Sequence, residues 1–190
     1  MNRVLGRTLV LLALFLIPAP ASAVSRFGEL AGHLSIGYAK LVTTDAPGGS
    51  ISMGGGLDYP LARTLRAGLD LGYDLLGSRT VQRGSLFGAV DYGAFGVTAF
   101  LHWLPQRGPV RRVSLGPALV NAHGDLSVTG GGAGFDDLAV HESAGAVAAQ
   151  ITLMPAKPAP VKLGFELGGR RAFMAGGDWT LLSVRATVHY

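Results

Sequence analysis

Between Leu65 and Leu75, apolar and polar residues alternate one by one. Leu65, Ala67, Leu69, Leu71, Tyr73 and Leu75 are apolar, with Arg66, Gly68, Asp70, Gly72 and Asp74 between them. A 3.6-residue period would scatter those charges around a helix axis, whereas a period of two gathers them on one face of a strand. The final residues repeat the pattern, with Leu182, Val184, Ala186, Val188 and Tyr190 set against Ser183, Arg185, Thr187 and His189. The chain is thereby constrained to strands with one oily face and one wet face.

The N-terminus explains where such strands are used. Residues 1–23 read as a secretory signal: Arg3 and Arg7 make a positive start, Leu9 to Ile17 run apolar without interruption, and Ala21-Ser22-Ala23 is a small-residue cleavage site. The run is too short for a spanning helix, which needs about 20 residues, and Pro18 and Pro20 follow it directly. Residues 24–190 then form one exported domain. The chain has no cysteine, so it carries neither a lipoprotein anchor nor a disulfide. Without Arg3 and Arg7, Lys plus Arg falls from 16 to 14 against 12 acids, and the net charge falls from +4 to +2. That balance is no nucleic-acid footprint. A hydrophobic exported chain with no further spanning run can cross a bilayer only as a closed barrel, because unpaired backbone groups are too costly in hydrocarbon.

Alternation divides residues 24–190 into eight segments. The first, Leu30 to Val42, sets Leu34, Ile36 and Tyr38 against His33, Ser35, Gly37 and Ala39, and Thr43–Ser50 is a loop. Ile51 to Tyr59 follows, then a tight turn at Pro60–Thr64, the segment from Leu65, and a polar loop at Gly77–Gly84. Ser85 to Leu104 is one long strand with Asp91 on its outward phase, so that end lies beyond the bilayer or contains a bulge. Pro105–Pro109 turns into a fifth strand from Val110, whose ladder Pro117 interrupts. Asn121 to Leu138, with Gly130-Gly131-Gly132, is the longest irregular stretch. The sixth strand ends near Met154, Pro155–Pro160 turns, the seventh starts at Val161, and a loop around Ala175–Asp178 leads to the last.

This arrangement is an all-β, eight-stranded, antiparallel up-and-down transmembrane barrel with three short turns at one end and looser loops at the other. Tyr59, Trp103 and Tyr190 fall at the inner rim, and Tyr38, Tyr73 and Phe95 at the outer rim, where amphipathic rings meet headgroups. A soluble cup would keep its apolar residues inside, the reverse of this pattern. Over residues 24–190 the chain resembles the small outer-membrane barrels of the OmpA/OmpX type. That resemblance implies export through the Sec pathway to the bacterial outer membrane and a structural or surface-interaction role. It also implies assembly through the terminal strand and Tyr190 by the barrel-assembly machinery, contact with outer-membrane lipid and lipopolysaccharide, and a monomeric state. No cofactor, metal or nucleic-acid partner is expected.

The inward phase carries Asp58, Arg66, Asp70, Asp74, Arg112, Lys162, Glu166 and Arg185, with His33, His102 and His189. An eight-stranded lumen is just wide enough for its side chains, so these charges are expected to pair into a plug. The alternative function is acyl hydrolysis. His33 with Ser35, and His141 with Ser143, are His-x-Ser pairs, and a histidine can activate a serine hydroxyl. The second pair resembles the lipid A deacylases in part, but Ala144 stands where those enzymes have Asn. Asp125, Asp136, Asp137 and Glu142, near His123 and His141, form an acidic loop of a kind that can hold a divalent ion. Their spacing does not match an EF-hand, so a solvated loop is expected.

Overall fold

The computed structural model describes residues 30–42, 48–83, 86–129, 140–155 and 161–190. The expected signal at 1–23, the glycines at 130–132, and Asp136 and Asp137 lie outside these residues. Eight strands run in chain order: β1 (Ala31–Leu41), β2 (Ser50–Ala62), β3 (Leu65–Arg83), β4 (Leu86–Trp103), β5 (Val110–Thr129), β6 (Val140–Leu153), β7 (Lys162–Ala172) and β8 (Trp179–His189). Each pairs antiparallel with its sequence neighbour, and β1 pairs with β8, so the ring closes. Beyond β8, Tyr190 and Gly32 exchange two backbone hydrogen bonds of 3.0 Å. The Tyr190 ring also covers the place where a Gly32 side chain would stand.

The alternation predicts facing well. Leu34, Leu69, Leu71, Leu101, Leu115 and Val184 are exposed on the outer wall, while Asp58, Asp70, Asp74, Arg112, Glu166 and Arg185 are buried inside. A strand of period two can do both at once, because successive side chains leave opposite faces of the sheet.

Three strand limits differ from the sequence reading. β3 continues through Gly77–Arg83, β5 continues through Asn121–Thr129, and β2 extends past Pro60 so that only Arg63 and Thr64 turn. Alternation fades in these stretches because neither face needs to be oily beyond an apolar wall. The backbone ladder nonetheless persists, from Phe87↔Thr129 to Phe95↔Asn121 between β4 and β5. The three strands β3, β4 and β5 therefore project at the loop end.

Asp91 is exposed on an unbroken β4, and the bulge lies in its partner, between Leu75 and Gly77. The extra residue, Leu76, is fully buried, and Gly77 takes a positive φ of 84°. After this shift Ser78 faces Asp91 and donates a hydrogen bond to its carboxylate.

The interior has two storeys, where the sequence reading expected a plug of paired charges. Toward the loop end it is apolar: Leu41, Leu76, Val90, Ala94, Val120, Ala122 and Leu181 are buried there. Tyr92 and Trp179 pack against this layer edge to face, with ring centroids 6.3 Å apart. Toward the turn end lie the charges.

Pro117 disturbs the ladder as expected, since the β4–β5 register runs Thr98↔Ala118 and resumes at Leu101↔Leu115. There Gly116 lets the strands approach so closely that a Cβ would collide with the Ala99 carbonyl oxygen of β4. Gly116→Ala should therefore destabilise the folded barrel by about 1–3 kcal/mol. Gly145→Ala, which meets nothing within 4 Å, should change stability by less than about 0.5 kcal/mol. Urea titration of the two refolded variants checks the contrast.

Candidate functional site

The turn-end half of the lumen holds a connected polar network. Ser114 Oγ lies 2.7 Å from His102 Nδ1. The opposite nitrogen, His102 Nε2, lies 3.0 Å from Asp58 Oδ1. Arg112 donates from Nη1 to Asp58 Oδ2 at 2.9 Å and from Nε to Thr152 Oγ1 at 3.3 Å. Its other terminal nitrogen is 3.6 Å from Glu166, whose second oxygen takes Arg185 at 2.8 Å. One path of contacts thus links β5, β4, β2, β7 and β8 across the lumen.

A second group lies alongside. His33 Nε2 is 3.3 Å from Asp70, and the His33 ring stacks on His189 with centroids 5.3 Å apart. Asp74 accepts the Ser52 hydroxyl at 2.5 Å and pairs with Arg170 at 3.6 Å. Arg170 alternates inward with Glu166, yet its place in the ion pairing follows only from which residue stands opposite it.

Two charges expected in this network do not join it. Arg66 is half-buried and Lys162 is exposed, and both line a cavity at the turn end of the lumen. Each stands near the first residue of its strand, close to the turns.

Small residues opposite the long ones give the network its room. A Cβ at Gly68 would meet His102 and Asp58, one at Gly56 would meet Asp70, and one at Gly96 would meet Arg170. The glycines that alternate with Asp58, Asp70 and Asp74 in the sequence are in this sense part of the site.

Ser114, His102 and Asp58 are ordered like a nucleophile, a base and its orienting acid. All three are at most 4% exposed, and Asp58 is shared with Arg112. Such an arrangement ties strands together and leaves no space for a substrate at the hydroxyl. His33, Asp58 and Asp70 bring ligand-type atoms within 4.8 Å of one another. Asp58 is already held by Arg112 and His102, and Asp70 by His33, so these donors serve each other.

The outward histidine–serine pair is placed differently. His141 and Ser143 are both exposed on the outer wall of β6. The Ser143 hydroxyl accepts a 2.9 Å hydrogen bond from Asn121 of β5, a neighbour that only strand register brings there. No hydrogen bond joins Ser143 to His141 among the described residues. In the first pair, His33 and Ser35 are buried, with His33 turned to Asp70. Of the acidic loop, Glu142 accepts the Ala175 N–H at 2.5 Å, Asp125 is exposed, and His123 lies 3.2 Å from the Tyr73 hydroxyl. These groups do not converge.

The aromatic residues Tyr38, Phe95, Trp103 and Tyr190 are exposed on the outer wall, and Tyr59 and Tyr73 are half-buried there. Tyr73 and His123 stack at 5.9 Å, covering Gly93.

No protein-family model matches the chain, and no curated protein matches it. Solved structures do. The attachment invasion locus protein of Yersinia pestis is similar with a TM-score of 0.51 and 15% identity, over 84% of this chain and 98% of that one. Neisserial surface protein A gives a TM-score of 0.52 and 15% identity, over 84% and 95%. A major outer membrane protein from Thermus thermophilus gives 0.50 and 11%, over 85% and 99%. At these identities the likeness is one of fold: the chain has the architecture of the small outer-membrane β-barrels it resembles in sequence pattern.

Removing one partner of a buried pair strands the other, at a cost of about 3–5 kcal/mol. Arg112→Met should destabilise the barrel by that amount, because Asp58 and Glu166 both lose their guanidinium. Arg171→Met breaks only an exposed 2.7 Å bridge to Asp178 and should cost less than about 1 kcal/mol. Equilibrium unfolding of both variants in the same detergent measures the difference.

Proposed function

We propose that this chain is an integral protein of the bacterial outer membrane, reached after Sec export and removal of residues 1–23. Its role in this reading is structural or surface-interacting, with a plugged lumen and with any binding carried at the loop end. The observation that carries the reading is the inverted wall. Large apolar residues, including Leu163 at 67% and Leu115 at 60% exposure, cover a ring that has no strand edge. In water so wide an apolar belt would be a severe liability. In hydrocarbon it meets its natural solvent, and the closed ring presents no strand edge to it.

The named neighbours that share this fold are, by their descriptions, a surface protein, an attachment protein and an outer membrane protein. Location in the same membrane and contact with its lipid and lipopolysaccharide follow by analogy of fold. The projecting part of β3, β4 and β5 is where a partner would be met. In the plugged reading the charge network blocks one half of the lumen and the apolar layer the other. Small voids of about 20 Å³ and 10 Å³ lie along the interior, the first beside Asp70 and Arg185 and the second within the apolar layer. A monomer assembled through β8 and Tyr190 completes the proposal.

Facing toward lipid is tested directly. Leu71 is 51% exposed and its neighbour Gly72 is buried. A charge on the lipid face near the midplane costs about 2–4 kcal/mol, so Leu71→Arg should impair folding into liposomes while Gly72→Ser does not. Equal impairment by both would overturn the membrane reading.

Acyl hydrolysis by His141 and Ser143 has less support, because Asn121 rather than His141 holds the serine hydroxyl. Lipid A incubated with the wild-type protein should keep its mass, and Ser143→Ala should behave identically. A mass loss abolished by that substitution would replace the structural reading with the enzymatic one.

A further inference from the structure

The turn end of the lumen opens on a cavity of about 440 Å³. Among the described residues, four cationic side chains line it, Arg66, Arg111, Arg112 and Lys162, and Asp58 is the one acidic side chain. Asp58 is already engaged by Arg112 and His102. Among the described residues, no carboxylate lies within salt-bridge distance of Arg66, Arg111 or Lys162. Arg66 Nη1 is moreover buried without a hydrogen-bond partner, an arrangement that proteins seldom leave unanswered.

Arg111 reaches this cavity by a special device. Strict alternation would send it outward, between Arg112 on the inner face and Val110. The β5–β6 register instead jumps from Val110↔Leu153 to Arg112↔Thr152, so Arg111 is the extra residue of a bulge. Bulges re-aim side chains, and this one brings a second guanidinium, without a salt bridge among the described residues, to the lining of the same cavity. Two planar forks with an ammonium at the rim match the oxygens of a phosphate group, which accepts several charge-assisted hydrogen bonds at once.

We propose that the turn-end mouth of the barrel is a binding site for a phosphate group, held by Arg66 and Arg111 with Lys162 at its rim. The site does not depend on the function of the loop end. The phosphate is that of a small soluble anion or of a phospholipid headgroup, and the two sources share the same recognition chemistry.

Calorimetric titration of the full-length barrel, refolded in uncharged maltoside micelles at fixed ionic strength, tests this. One arm uses inorganic pyrophosphate and the other short-chain phosphatidylglycerol; whichever binds at one equivalent identifies the source. Arg66→Gln combined with Arg111→Gln should weaken that binding by roughly tenfold or more. Arg63→Gln, an exposed turn residue at the same end that does not line the cavity, should leave it unchanged. Heat-modifiable mobility on a gel reports whether each variant is folded. Should the double variant not fold, Lys162→Gln takes its place and should weaken binding by roughly threefold or more. Binding of neither probe by the wild type would overturn the proposal. So would undiminished binding by the lumenal variant, or an equal loss in Arg63→Gln.

Discussion

Closure of the ring by β1 and β8 is the constraint on which the rest of this molecule depends. From His33↔His189 to Leu41↔Leu181 the two end strands pair without a break in register. Gly32 and Tyr190 extend that seam by two further backbone hydrogen bonds. With every strand paired on both sides, no edge remains to be satisfied by water. The outer wall can then be apolar, and the inner wall can hold whatever its narrow volume accepts.

That volume explains the interior. An eight-stranded ring leaves room for side chains and little else, so an inward charge must find its counter-charge among a few residues. Arg112 bridges Asp58 and Glu166, and Glu166 passes the chain of contacts to Arg185. Long side chains are admitted because glycines stand opposite them, as Gly68 does for His102 and Gly96 for Arg170. Where such partners end, toward the loops, the interior turns to Leu76, Val90 and Leu181, which need volume and no partner. Toward the turns it ends in a cavity lined by Arg66, Arg111 and Lys162, which have no salt-bridge partner among the described residues, a different chemistry again.

Much of this was legible in the sequence. The facing of Leu69, Asp70 and Leu71 follows from the period of two, and the phase of Asp91 is correct on an unbroken β4. The extension of β3 and β5 was not legible, since backbone pairing outlasts the need for an oily face. The place of Arg111 was not legible either, because a bulge adds a residue without leaving a local signature. Arg170 lay on the inward phase, but its pairing with Asp74 depends on β7 facing β3 across the lumen. The hydrogen bond from Asn121 to Ser143 joins residues distant in sequence, through register alone.

The sequence by itself determined that the chain makes strands, which residues face each way, and how many strands there are. Each of these follows from the local spacing of oily and polar side chains along a backbone whose neighbours must point in opposite directions. Only the tertiary structure decided which charges meet, that the lumen is half apolar, and that Arg66, Arg111 and Lys162 line one cavity with no salt-bridge partner among the described residues. Those features depend on ring closure, on the stagger between strands and on bulges. Such properties arise when distant segments share one small interior, and no local pattern carries them.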